Sequence, residues 1–134
     1  MKDIIAYHNT EKMGYSLIDG KGPFTFYTNK PVQHLMGARV WAIAGEGQPR
    51  RYFLGGWFIV GEAGPADRDG FANLVRGADG KTFKPMIRLD QRTWFADFRK
   101  SQSNFSLGLL AAKDEFVKHL ESLAAEATAT RARP

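Results

Sequence analysis

The stretch RVWAIAGEGQPRRYFLGGWFIVGE, residues 39 to 62, limits the folds open to this chain more than any other. Two runs rich in β-branched and aromatic residues, 39–44 and 52–60, flank a segment broken by Gly45, Gly47 and Pro49, which is the pattern of a β-hairpin. Strand alternation puts Trp41 and Ile43 on one face of the first run, with Val40, Ala42 and Ala44 on the other. In the second run it groups Phe53, Trp57 and Ile59 against Tyr52, Leu54, Phe58 and Val60. Both faces are apolar, so the pair belongs inside a closed or covered sheet. The hairpin tip carries two adjacent cations, Arg50 and Arg51.

Elements on either side follow from local pattern. DIIAYH predicts a first strand, and GPFTFYTN, alternating Phe24, Phe26 and Thr28 against Thr25 and Tyr27, a second extended segment. KPVQHLMG, with Pro31 at a first helical position and Gly37 as a stop, predicts one or two helical turns. Residues 61–81 are rich in Gly, Asp and Ala and predict a long excursion with a helical turn around FANLV. KTFKPMIRLD predicts a strand that Pro85 confines to an edge or bulge. QRTWFADFRK is a short amphipathic helix with Trp94, Phe95 and Phe98 at helical spacing. SQSNFSLGLL is a polar loop entering an apolar run. KDEFVKHLESLAAEA predicts a helix with Phe116, Val117, Leu120, Leu123 and Ala124 on one face. The tail 126–134 has linker composition. The expected fold is α+β: one domain over 1–125, with a small mixed or antiparallel barrel-like sheet, short flanking helices and a C-terminal helix.

At 134 residues with 43% hydrophobic content, the chain has enough apolar surface for an ordinary core. The absence of cysteine excludes a disulfide scaffold, a thiol nucleophile and a cysteine-ligated zinc. His8, His34 and His119 are too far apart in sequence to suggest a metal or catalytic cluster, so neither a metal nor a cofactor is expected. Nineteen basic against fourteen acidic residues give a formal charge of +5, which favours a polyanionic partner. The opening MKDIIAYHN is too short and interrupted for a signal-peptide core, and no run is long enough for a membrane span. A cytoplasmic protein with no membrane partner is the expectation.

Reading a nucleobase requires flat apolar faces, worth about 1–3 kcal/mol per stacked base, with polar groups at the base edge and cations along the phosphates. Two clusters at strand ends meet this description. YHN offers Tyr7 to stack and Asn9 to reach a base edge, with His8 between them. FYTNK offers Tyr27, Asn29 and Lys30. Trp41, Trp57 and Trp94 are candidate walls, Trp57 because Gly55 and Gly56 precede it and glycine in a strand marks a bulge or close approach. SNFS adds Asn104, Phe105 and Ser106. Each has a plainer role available: Asn9 and Asn29 as turn formers, the tryptophans as core, SNFS as a loop satisfying its own backbone. For phosphates the candidates are Arg50 and Arg51 at the hairpin tip and Lys30 beside Asn29. Arg88, Arg92, Arg99 and Lys100 form a second set. The acidic residues are scattered, and neither a nucleophile elbow nor a P-loop is present, so catalysis by the chain alone is not expected.

LMGARVWAIAG followed by RRYFLGGWFIVGEAG resembles the central hairpin of the PUA-like superfamily, which includes EVE, YTH, ASCH and SRA domains. DIIAYHNT is similar to the start of EVE domains, although Thr10 stands where those proteins usually have Pro. NFSLGLL falls where the superfamily returns a last strand to its barrel. The resemblance covers roughly residues 3 to 123. The resemblance implies a reader of nucleic acid, with a modified, flipped base of DNA as the favoured ligand. It also implies kinship with readers joined to HNH-type restriction nucleases, which leaves a nuclease domain or subunit open as a partner. The alternatives are an RNA-binding module, a small-ligand or hydrolytic ASCH-like protein with a lysine and a carboxylate facing the cavity, and a protein-binding surface at Phe71, Leu74 and Val75.

Overall fold

The computed structural model describes residues 2–9, 24–105 and 108–132, the last five as backbone. Its elements run β1 (Asp3–Asn9), β2 (Phe24–Thr28), a 3-10 turn (Gln33–Leu35), β3 (Arg39–Glu46), β4 (Arg51–Ile59), β5 (Glu62–Pro65), β6 (Asn73–Gly77) and β7 (Gly80–Arg88). There follow α1 (Phe95–Ser101), a second 3-10 turn (Ser103–Phe105), β8 (Leu110–Ala111) and α2 (Asp114–Ala132).

The class is mixed α and β, as expected, but the strands do not close into a barrel. They form a five-stranded sheet in the order β7-β4-β3-β1-β8 and a separate three-stranded sheet in the order β2-β6-β5. β1 runs parallel to β3, with Ile4 opposite Val40, while β3 and β4 form the antiparallel hairpin.

What buries both faces of the hairpin is layering, not closure. One face of the large sheet, bearing Ile4, Ala6, Val40, Ala42, Ala44 and Phe58, packs on Phe26 and Val75 of the small sheet and on Val32 and Leu35 around the first 3-10 turn. The opposite face, bearing Ile5, Trp41, Ile43, Tyr52 and Leu54, packs on Phe95 and Phe98 of α1, Phe105, and Phe116, Leu120 and Leu123 of α2. The central strands are therefore apolar on both sides because each side meets a different layer.

Simple alternation mis-assigns one half of β4. Ala42 lies opposite Gly56 and Ile43 opposite Leu54, so Gly55 is an extra residue and the register shifts there. One inserted residue inverts every side chain beyond it. Trp57 consequently joins the helix-side core with Tyr52 and Leu54, whereas Phe58 joins Phe53 in the small-sheet core. Glycine is needed next to the bulge, since a side chain on Gly56 would run into the Lys81 carbonyl and come within 2.8 Å of the Phe24 ring.

Two further expectations change. FANLV is not helical: Asn73–Gly77 is the middle strand of the small sheet, between β2 and β5. Its Leu74 and Val75 are 1% and 0% exposed, which removes them as a partner surface and leaves only Phe71 outside. Pairing with two neighbours outweighs the weak local helical signal. The final helix continues through Ala132, past the start of the tail expected to be a linker, in keeping with its alanine content.

Candidate functional site

Asn9, Gly45 and Tyr52 form one row across three strands, since Asn9 pairs with Gly45 and Gly45 with Tyr52. This row marks the end of the large sheet beside the hairpin tip. Tyr7, two residues before Asn9, shares its helix-side face. The Tyr7 phenol fills the space above Gly45, where an added Cβ would fall 2.7 Å from the Tyr7 Cζ. Its ring stacks on Phe105 at 4.9 Å between centroids and 10° between planes, and lies 6.1 Å from the ring of Tyr52. Tyr52 in turn contacts Phe95 at 5.1 Å and Phe105 at 5.7 Å.

Two arginines converge on these rings. Arg50 Nη1 donates a 3.1 Å hydrogen bond to the Tyr7 hydroxyl oxygen, and the Arg99 guanidinium of α1 sits 5.0 Å from the centre of the Tyr52 ring. Burial holds the Tyr7 phenol above the usual tyrosine value, outweighing the Arg50 hydrogen bond and the charges of Arg50 and Arg99, which pull it down. The phenol is therefore neutral at ordinary pH. Among the described residues its O–H finds no acceptor, and the buried Arg99 Nε has none either. A buried donor left unsatisfied costs about 1–3 kcal/mol.

Arg99 differs from the three arginines that are held by carboxylates. Arg39 lies 2.6 Å from Asp3, Arg76 2.9 Å from Asp67 and Arg88 2.5 Å from Asp90, while Arg99 makes no ion pair among the described residues.

Ser103–Phe105 border this cluster, and Gly108 borders the end of β2. Ser103, Asn104 and Phe105 have φ of 51°, 55° and 63°, a left-handed run that costs roughly 1–2 kcal/mol per residue. That turn directs Phe105 onto Tyr7. Gly108, further along, accepts a 2.9 Å hydrogen bond from Lys30 Nζ, and the Lys30 carbonyl accepts one from Asn73 Nδ2 at 2.8 Å.

Not all of the expected residues gather here. Trp41 is 1% exposed and donates its indole N–H to Asp3 Oδ1 at 2.9 Å, so it is core and walls no accessible pocket. His8 is buried on the small-sheet face of β1. Phe105, at 7% exposure, is the packing partner of Tyr7. Asn29 Oδ1 accepts from the Ala72 N–H at 2.8 Å, the turn-forming role. Tyr27 donates to Asp67 Oδ1 at 2.9 Å and lies 5.5 Å from Phe71, on the small sheet. Trp57 packs half-buried in the helix-side core beyond the bulge, away from Tyr7. Asn104 is exposed, and Ser106 lies outside the described residues.

The cations divide in the same way. Arg50 reaches Tyr7 and Arg99 the neighbouring Tyr52 ring, whereas Arg88 pairs in register with Phe53 on the opposite face and is clamped by both oxygens of Asp90. Arg51 and Arg92 are exposed. Lys100 and Trp94 line a different cleft of about 430 Å³ between α1 and the start of α2, with Asp97, Lys113, Phe116 and His119. There the Trp94 indole stacks on the His119 ring at 4.7 Å. Phe98 and Phe105 stand between Trp94 and Tyr7.

Sequence reasoning missed Tyr52 and Gly45. The signal for both was the hairpin register, which sets a residue without a side chain opposite an aromatic one next to the tip arginines. Among the described residues no group of three or more histidines and carboxylates could hold a metal ion, and no helix is long and apolar enough to cross a membrane. No family model, curated protein or solved structure matches the chain.

Proposed function

We propose that this chain is a nucleic-acid-binding domain that uses the end of the large sheet formed by Tyr7, Asn9, Arg50, Tyr52, Arg99 and Phe105. The observation that carries this reading is the meeting of stacked phenol and phenyl rings with two guanidiniums, one of them without a carboxylate among the described residues. The cations supply phosphate contacts and the Asn9 amide at the adjacent strand end an edge contact, while the rings, packed on one another, hold the site in shape. The +5 formal charge supports the same partner class.

The favoured ligand is DNA carrying a modified base held outside the duplex, in which case the unstacking cost of a few kcal/mol is offset by edge and phosphate contacts. The same proposal takes the chain to be a cytoplasmic relative of the PUA-like readers, non-catalytic alone and served by a nuclease domain or subunit. Fluorescence anisotropy with plain, methylated and hydroxymethylated duplexes tests it. Tighter binding to one modified duplex is the expected result, and equal affinity for all three ends the modified-base reading. Competition by single-stranded RNA that outruns every duplex would reassign the domain to RNA.

A further inference from the structure

We infer that the Arg99 Nε–H, the Arg50 guanidinium and the Tyr7 hydroxyl form a seat for one tetrahedral oxyanion, occupied in function by a phosphodiester group of the bound strand. The phosphodiester identity rests on the nucleic-acid reading above; the oxyanion seat does not.

Several independent features converge. Arg50 Nη1 approaches the Tyr7 oxygen to 3.1 Å, which leaves the phenol proton directed elsewhere, and no acceptor for it exists among the described residues. Arg99 Nε is buried without an acceptor, and its guanidinium is held over the Tyr52 ring at 5.0 Å with no carboxylate paired to it among the described residues. Arg50 reaches the Tyr7 hydroxyl and Arg99 lies over the Tyr52 ring, 6.1 Å from that of Tyr7, so the two cations border one ring cluster. A phosphate presents several acceptor oxygens to such donors, and a planar guanidinium matches two of them at once. Gly45 keeps the region open to the phenol, because any side chain there would displace it.

Ligand chemistry follows from the donor set. Every group in it donates or carries positive charge, which suits an oxyanion and disfavours an amine or a cation. The neighbouring rings of Tyr7, Tyr52 and Phe105 are engaged with one another, so they brace the seat.

The test uses the full chain and two readouts. In ¹H–¹⁵N spectra the Arg99 Nε–H resonance is followed during titration with inorganic phosphate, with sodium chloride at matched ionic strength as reference. A saturable shift with phosphate and none with chloride is expected, together with saturable shifts of the Tyr7 and Tyr52 backbone amides that Arg99→Lys should abolish while retaining the wild-type fold by circular dichroism. In parallel, nucleic-acid affinity is measured against salt. Arg99→Gln should weaken binding about tenfold and reduce the slope of log K against log salt by about 0.9; Lys84→Gln, a remote exposed charge, serves as control.

A phosphate-dependent shift together with the reduced slope supports both readings. If phosphate moves Arg99 but no nucleic acid binds, the seat stands and the nucleic-acid reading falls. If nucleic acid binds while phosphate leaves Arg99 unmoved and Arg99→Gln keeps the wild-type slope, the seat is overturned alone. Equal shifts with phosphate and chloride also overturn it.

Discussion

The phenol of Tyr7 occupies the space that any side chain at Gly45 would need. A Cβ on Gly45 would lie 2.7 Å from the Tyr7 Cζ and 2.9 Å from its Cε1, and the ring has Phe105 on its other side at 4.9 Å. Gly45→Ala should therefore destabilise the fold by about 1–3 kcal/mol, the usual cost of overpacking. The cost should shrink in a Tyr7→Ala background, a coupling that a double-mutant cycle by urea denaturation measures. Equal costs in both backgrounds would show that the ring does not depend on the missing side chain.

Asp90 ties the end of β7 to β4 and gives the fold an acid-sensitive joint. Its carboxylate accepts both arms of Arg88 and the backbone N–H of Tyr52, and the Arg88 hydrogen bonds, against a smaller opposing effect of burial, lower its pKa to about 2. A depressed carboxylate pKa contributes stability that is complete above the unfolded value of 3.8 and is lost as pH falls from there through about 2. Asp90→Asn should cost about 1–2 kcal/mol at neutral pH, discounted for partial exposure. The difference from wild type should narrow below pH 4 in thermal melts. A constant difference down to pH 2 would contradict the assignment.

The left-handed turn at 103–105 predicts an ordering of substitutions. Asn104 is exposed with φ of 55°, so its side chain contributes little beyond its backbone preference. Asn104→Gly should be neutral or stabilising by about 0.5 kcal/mol, and Asn104→Val destabilising by about 1–2 kcal/mol, because a branched Cβ resists that conformation. Melting temperatures of the three proteins check the order, and a valine variant as stable as wild type would mean the turn is not left-handed.

Deleting Gly55 should be far worse than substituting an ordinary surface residue. Without the extra residue, the register from Gly56 onward inverts, sending Trp57 toward the small sheet and Phe58 toward the helices. Loss of cooperative thermal unfolding is the expected outcome. A sharp wild-type-like transition would mean that the strand absorbs the deletion elsewhere.

The hairpin, the turn after Pro31 and the apolar face of the last helix were legible in the sequence because each depends on periodicity within a few residues. What escaped was non-local. Nothing near Asn73–Gly77 announces two strand partners, and the doubled glycine at 55–56 suggested a bulge without saying which side chains it would invert. At the site, Tyr7 and the tip arginine Arg50 were named and do meet. Trp41 was named and is core, since an aromatic flanked by apolar neighbours looks the same in sequence whether it lines a cavity or fills one. Tyr52 and Arg99 come together only through packing of α1 against the sheet, which no spacing in the chain encodes.

β1 sits in the interior of the large sheet, flanked by β3 on one edge and by the two-residue β8 on the other. A strand near the start of the chain thus waits for Leu110 and Ala111 before its second edge is capped. Nascent or truncated chains ending before residue 110 would carry an uncapped apolar ribbon, an invitation to join a neighbour's sheet. Quality control during synthesis should bear most heavily on that interval.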